Sequence, residues 1–122
     1  MYCQRHVVTL TTAVGGAVTG YTPNITGRVL SIRYVKTDFA TGVDFTITGE
    51  ATGVTIWTQE NVNASTTCYP RQATHSTAGV ASLYASGGEA VNDHIYLANE
   101  RIKFAIASGG DAKTGVFHVI TG

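Results

Sequence analysis

Residues Arg28–Gln59 read RVLSIRYVKTDFATGVDFTITGEATGVTIWTQ, and their alternation decides the fold class. Leu30, Ile32 and Tyr34 fall on one side of an extended run, with Ser31 and Arg33 on the other. Val43, Phe45 and Ile47 alternate with Asp44, Thr46 and Thr48. Val54, Ile56 and Thr58 alternate with Thr55, Trp57 and Gln59. Successive side chains of a strand point to opposite faces, so a period of two marks strands with one buried and one wet face. The connections Thr37–Gly42 and Glu50–Gly53 each end in glycine, as hairpin loops do. The stretch therefore predicts a three-stranded antiparallel meander with Trp57 on its wet face. Its apolar face has to be covered by the rest of the chain.

Outward from this centre the same period recurs. Arg5–Thr12 reads as a first strand, followed by the small, Gly-rich Ala13–Gly20. Tyr21–Gly27 holds Pro23 and Asn24 and reads as a loop or edge segment. Asp93–Asn99 places Ile95 and Leu97 opposite His94 and Tyr96, and Asn99-Glu100 reads as a tight connection. In Arg101–Ala107, Ile102, Phe104 and Ile106 face inward and Arg101 and Lys103 outward. Ser108–Lys113 reads as a hairpin loop. Thr114–Thr121 is apolar on both faces, which suits a central strand or an oligomer contact. The sum is seven to nine strands with no framework helix, an all-β antiparallel sandwich or barrel in one domain spanning residues 1–122.

Residues 61–92 stand apart. About thirty residues show weak alternation, and so long a loop in a small domain is usually functional or disordered. Val62, Tyr69, Val80, Leu83 and Tyr84 make it too apolar for plain disorder. It is read as an ordered excursion, with a short strand near Ser65–Tyr69 and a turn of helix near Ala78–Tyr84. Tyr69-Pro70 is a candidate for a cis bond, with trans favoured.

Composition excludes several classes of function. The 122 residues carry eight Lys and Arg, eight Asp and Glu and a formal net charge of +0; charged residues are 13% of the chain. Nucleic-acid and anionic-membrane partners call for clustered basic residues and are not expected. Few charges and no net charge make a poor free monomer and suit a life inside an assembly. Met1–Leu10, MYCQRHVVTL, has no apolar core of a signal peptide, and no run approaches the length of a spanning helix. Cys3 and Cys68 are two thiols or one bridge; a pair is not a secreted disulfide framework.

No chemistry is spelled out. His6, His75, His94 and His118 lie at no metal-ligand spacing from one another or from a cysteine. Ser76, His75 or His94, and Asp93 could be composed into a triad, but no G-x-S-x-G elbow supports it. Gly109–Gly115, GGDAKTG, fails as a phosphate loop because Ala112 precedes the lysine and a strand follows. Asn24-Ile25-Thr26 and Asn63-Ala64-Ser65 are read as chance matches to the glycosylation pattern. No catalytic residue, cofactor or metal is expected. The remaining signal is aromatic and apolar side chains on polar faces and loops, which mark protein contacts or sugar platforms. The contact candidates are Tyr2 and Arg5 in the N-terminal Met1–His6 segment, Trp57, Tyr69, Arg71, Leu83 and Tyr84 in or near the excursion, and Tyr96.

Three runs carry a resemblance: YVKTDFATGVDFTITGEATG (34–53), NVNASTTCYPRQATH (61–75) and LYASGGEAVNDHIYLANERIKFAIASGGDAKTGVFHVITG (83–122). Over Val7–Gly122 the chain resembles a family of small virion proteins of tailed bacteriophages, encoded among head genes and associated with capsid decoration, or cement. The resemblance implies a jelly-roll-like β-sandwich that forms a homodimer or trimer and seats on a shell of major capsid protein. It implies assembly in the host cytoplasm and a final place on the capsid exterior. The alternatives are a carbohydrate-binding sandwich built on Trp57 and a head-completion or tail component.

Overall fold

Extended chain dominates because β-branched and aromatic residues recur at every second position. The computed structural model describes residues 2–122, with ten strands among them. These are β1 (Gln4–Thr11), β2 (Val18–Tyr21), β3 (Ile25–Val35), β4 (Val43–Gly49), β5 (Thr55–Val62), β6 (Thr66–Cys68), β7 (Arg71–Ala73), β8 (Asn92–Glu100), β9 (Ile102–Ala107) and β10 (Thr114–Thr121). The count exceeds the expected seven to nine because of β7; β6 is the short strand expected near Ser65–Tyr69.

The strands form two antiparallel sheets. One has the order β1-β10-β3-β8-β7, with β6 also paired to β3; the other has the order β2-β9-β4-β5. The pairs β1–β10, β2–β9, β3–β8 and β4–β5 are nested, so the chain is a long ribbon folded back on itself. Winding that ribbon puts successive segments on opposite layers. β10 lies between β1 and β3, the central position that its two apolar faces suggested.

The expected meander is therefore wrong in one respect. Glu50–Gly53 does join the paired strands β4 and β5, but Thr37–Gly42 carries the chain from one sheet to the other. Phe39, in that crossing, is 1% exposed and stacks 6.1 Å from Tyr34. The loop is thus a plug for the end of the core. Ser108–Lys113 also crosses between sheets. The expected tight connection at Asn99-Glu100 is instead the last part of β8, and the chain changes sheets at Arg101.

Inner-face aromatics from both sheets interlock. Phe117 of β10 meets Phe45 of β4 at 5.2 Å and Phe104 of β9 at 4.9 Å, while Tyr34 of β3 meets Phe45 at 5.4 Å. Offset and edge-on pairs of this kind add to the burial of their large apolar surface. Gly115 lies under Phe39, where a Cβ would collide with the ring.

Bulges correct the strict alternation. Ile47 pairs with Trp57 and Thr48 with Thr55, leaving Ile56 as an extra residue. A bulge sets two residues against one and turns the following side chains over. Ile56 and Trp57 are consequently both buried, and Trp57 packs edge-on to Phe45 at 4.9 Å. A second shift, opposite Ile120 and Thr121, makes Leu30 the extra residue of β3. Val29 takes the inward place expected of Leu30, alongside Ile32 and Tyr34. Two further bulges use asparagine at positive φ: Asn61 (54°) and Asn99 (49°). Each backbone N–H donates to a neighbouring strand, Asn61 to the Asp44 carboxylate at 2.8 Å and Asn99 to Thr26 Oγ1 at 2.9 Å.

The crossing from β8 to β9 is pinned from both sides. Glu100 is buried, and its carboxylate accepts from the Ala51 and Thr52 N–H groups and the Thr52 hydroxyl, each at 3.2 Å. Arg101 next to it forms a bidentate pair with Glu50 and stacks 4.0 Å from the Tyr21 ring centroid. That pair holds the Glu50 carboxyl below its usual range, chiefly through the arginine hydrogen bonds.

Candidate functional site

Two surfaces qualify, one built by the excursion and one by the outer face of the larger sheet. The excursion is ordered, with β6 as its expected short strand, but the expected helical turn is missing. No helix occupies Ala78–Tyr84. Two tight reversals replace it, marked by bridges between His75 and Ala81 and between Leu83 and Ala90. Main-chain bonds fix them: Ser82 N–H to the Thr74 carbonyl, Val91 N–H to the Ser82 carbonyl and Thr74 N–H to the Val91 carbonyl, all at 2.9 Å. The result is an arm extending the β7–β8 ladder. No residue from Arg71 to Ala90 is buried. Val80, Leu83 and Tyr84 are exposed, Tyr84 to 76%. The Tyr69–Pro70 bond is trans.

The second surface comes from strand parity. Inward Val119 and Phe117 leave His118 and Ile120 of β10 pointing outward, and the same holds for Arg5 of β1 and for Ser31 and Arg33 of β3. Register aligns them in rungs. Arg5 lies opposite Ile120, which lies opposite Ser31; His118 lies opposite Arg33, which lies opposite Thr67 of β6. With Val35 and Tyr69 they line a shallow groove of about 410 Å³. Arg33 donates from Nη1 to Thr67 Oγ1 at 2.7 Å, which braces it across the groove floor. No lining residue is acidic. Among the described residues the ion pairs are Arg101–Glu50 and His94–Asp93, so neither Arg5 nor Arg33 faces a carboxylate.

The contact candidates separate accordingly. Arg5 and Tyr69 meet in the groove. Leu83 and Tyr84 lie on the arm, and Tyr2 is 80% exposed ahead of β1; Met1 is outside the described residues. Arg71 pairs with His94 across β7 and β8 and donates to the Pro70 carbonyl at 2.9 Å. Tyr96 is exposed two positions beyond His94, and its hydroxyl donates to Asp93 at 3.1 Å. Asp93 is held below the usual carboxylate range by the His94 N–H and then by that hydroxyl. Trp57 is a correction: at 9% exposure it belongs to the core, and the sugar platform built on it has no exposed ring. Cys3 and Cys68 are not joined by a disulfide, and burial pushes the Cys68 thiol up.

Arg33, Thr67 and His118 were not among the candidates. Their outward parity was readable, but their convergence depends on β10 pairing with β3 across more than eighty residues. Among the described residues no group of His, Cys, Asp and Glu is placed to hold a metal ion, and no helix is long and apolar enough to cross a membrane. No family model matches the chain, and a search of curated proteins finds no match.

Proposed function

We propose that this protein is a structural virion component that binds and stabilises a phage head shell, with a jelly-roll sandwich as its rigid base. The observation that carries the reading is the arm at Arg71–Ala90: its backbone is fixed by hydrogen bonds while its apolar side chains, Val80, Leu83 and Tyr84, stay outside any core. Presenting such side chains to water on a hydrogen-bonded frame has no benefit to the isolated fold. Against a partner it lowers the ordering cost of binding. The nested strand order β1-β10-β3-β8 over β2-β9-β4-β5 supports the jelly-roll reading, an architecture found in viral capsid proteins.

The partner in this reading is the major capsid protein, and the decorating unit is a homodimer or trimer. Repetition over a shell lets individually weak contacts act together. The test is co-sedimentation of the purified protein with shells assembled from major capsid protein, alongside shell melting. Saturable binding and a raised melting temperature are expected, both reduced by the double change Leu83→Ala and Tyr84→Ala. Absence of binding overturns the proposal.

A further inference from the structure

We infer that the groove on the outer face of the larger sheet is a docking site for an acidic protein segment, whose carboxylates are taken between Arg5 and Arg33. The surrounding surface favours that chemistry. The chain balances eight basic against eight acidic residues, yet the groove holds two arginines and a histidine and no acid. Both guanidinium groups lack a carboxylate partner among the described residues, although Arg101 has one. Arg33 is already oriented by Thr67 at 2.7 Å, using one of its five donors and leaving the rest of its planar fork available.

The two arginines approach from opposite sides. Arg5 and Arg33 are separated by two strand spacings and two residues along the strand, about 12 Å between Cα atoms. His118 stands between them, directly across from Arg33, and Ile120 is directly across from Arg5. A guanidinium pairs with a carboxylate in two parallel hydrogen bonds, which gives direction as well as attraction. Val35, Ile120 and the ring of Tyr69 supply apolar wall. A groove of about 410 Å³ has more room than one small anion fills. The occupant that fits is a peptide segment with two acidic residues flanking an apolar one. The choice of a protein over another anion rests on the proposed shell-binding function.

The probe is the blocked peptide acetyl-Glu-Glu-Leu-Glu-Glu-amide, titrated into the full-length protein and followed by amide chemical shifts. Shifts confined to the rungs of Arg5, Arg33 and His118 are expected, with about tenfold weaker binding for Arg33→Gln, or 1.4 kcal/mol. The double variant Arg5→Gln and Arg33→Gln loses the response while its remaining spectrum, and so its fold, is unchanged. The Gln-for-Glu peptide gives no response. The inference is overturned if the acidic peptide produces no shifts, if the double variant responds as the parent does, or if inorganic phosphate or a single-stranded oligonucleotide takes the groove in preference to the peptide. It is also overturned if the double variant changes the sedimentation of the protein alone, which would make the groove a self-contact. Shell binding without peptide binding sinks this inference and spares the proposed function; the converse result does the opposite.

Discussion

The interleaved core and the Arg71–Ala90 arm are ordered by different means. Between the sheets, Phe45, Phe104 and Phe117 are each at most 1% exposed and touch rings from the opposite layer. In the arm no residue is buried, and order comes from short-range main-chain bonds such as Ser76–Val80 and Tyr84–Glu89. Core order is cooperative, because each ring is held by others far away in sequence. Arm order is local, so it can open without unfolding the domain. A surface that has to meet a partner is best placed on the second kind of region, provided the first kind anchors its base. Here the arm runs through the β7–β8 ladder into β8, whose Ile95 and Leu97 belong to the core.

The largest expected effect tests that contrast directly. Phe117→Ala removes a ring at the centre of the core and is expected to cost about 3–5 kcal/mol in denaturant unfolding. Tyr84→Ala, also a loss of a whole aromatic ring, is expected within about 0.5 kcal/mol of the parent because the side chain is exposed. Equal losses at the two positions would erase the distinction. Gly115→Ala is next. Its new methyl has to displace Phe39, with an expected loss of about 1–3 kcal/mol. Compensation by the smaller Phe39→Leu in the double variant would confirm the collision as the cause.

Tyr34→Phe sharpens the comparison in the opposite direction. The Tyr34 hydroxyl is buried without a hydrogen-bond partner, and its burial pushes the phenol up from its ordinary pKa. Removing it is expected to raise stability by about 1 kcal/mol, read from the denaturation midpoint. A loss of stability would mean the hydroxyl is satisfied in solution.

The smallest effect concerns pH. Glu50 and Asp93 both titrate below their ordinary values in the folded chain, Glu50 through Arg101 and Asp93 through the His94 N–H and the Tyr96 hydroxyl. A depressed carboxyl contributes stability that is complete above its unfolded pKa, about 4, and is lost as pH falls through the lower folded value. Glu50→Gln is therefore expected to flatten the acid limb of a stability–pH curve below about pH 4 and to leave its shape unchanged near neutrality. Both carboxyls are exposed, so solvent screening keeps the change small. An acid limb as steep in the variant as in the parent would remove Glu50 from the account.

Much of the strand pattern was legible because side-chain alternation is a local property. Ile102, Phe104 and Ile106 face inward as their spacing requires, and so do Ile95 and Leu97. The errors fall where the backbone departs from an ideal strand. The bulge at Ile56 put Trp57 inside, and the one at Leu30 exchanged its role with Val29. Asn61 and Asn99 were the available warnings, since asparagine tolerates positive φ better than most residues. Of the surface, the exposure of Tyr69, Leu83, Tyr84 and Tyr96 followed from weak or outward patterning. The groove did not, because its walls come from strands separated by most of the chain.

By itself, the order of amino acids determined that this is a β protein with an aliphatic and aromatic inside and few charges outside. A period of two fixes which side of a strand is oily, wherever that strand ends up. It carries no information about which strand lies alongside, because backbone hydrogen bonding is common to all residues. Tertiary structure alone decided that consecutive segments change layers, that Phe39 closes the end of the core and that Arg5 and Arg33 come to flank one groove.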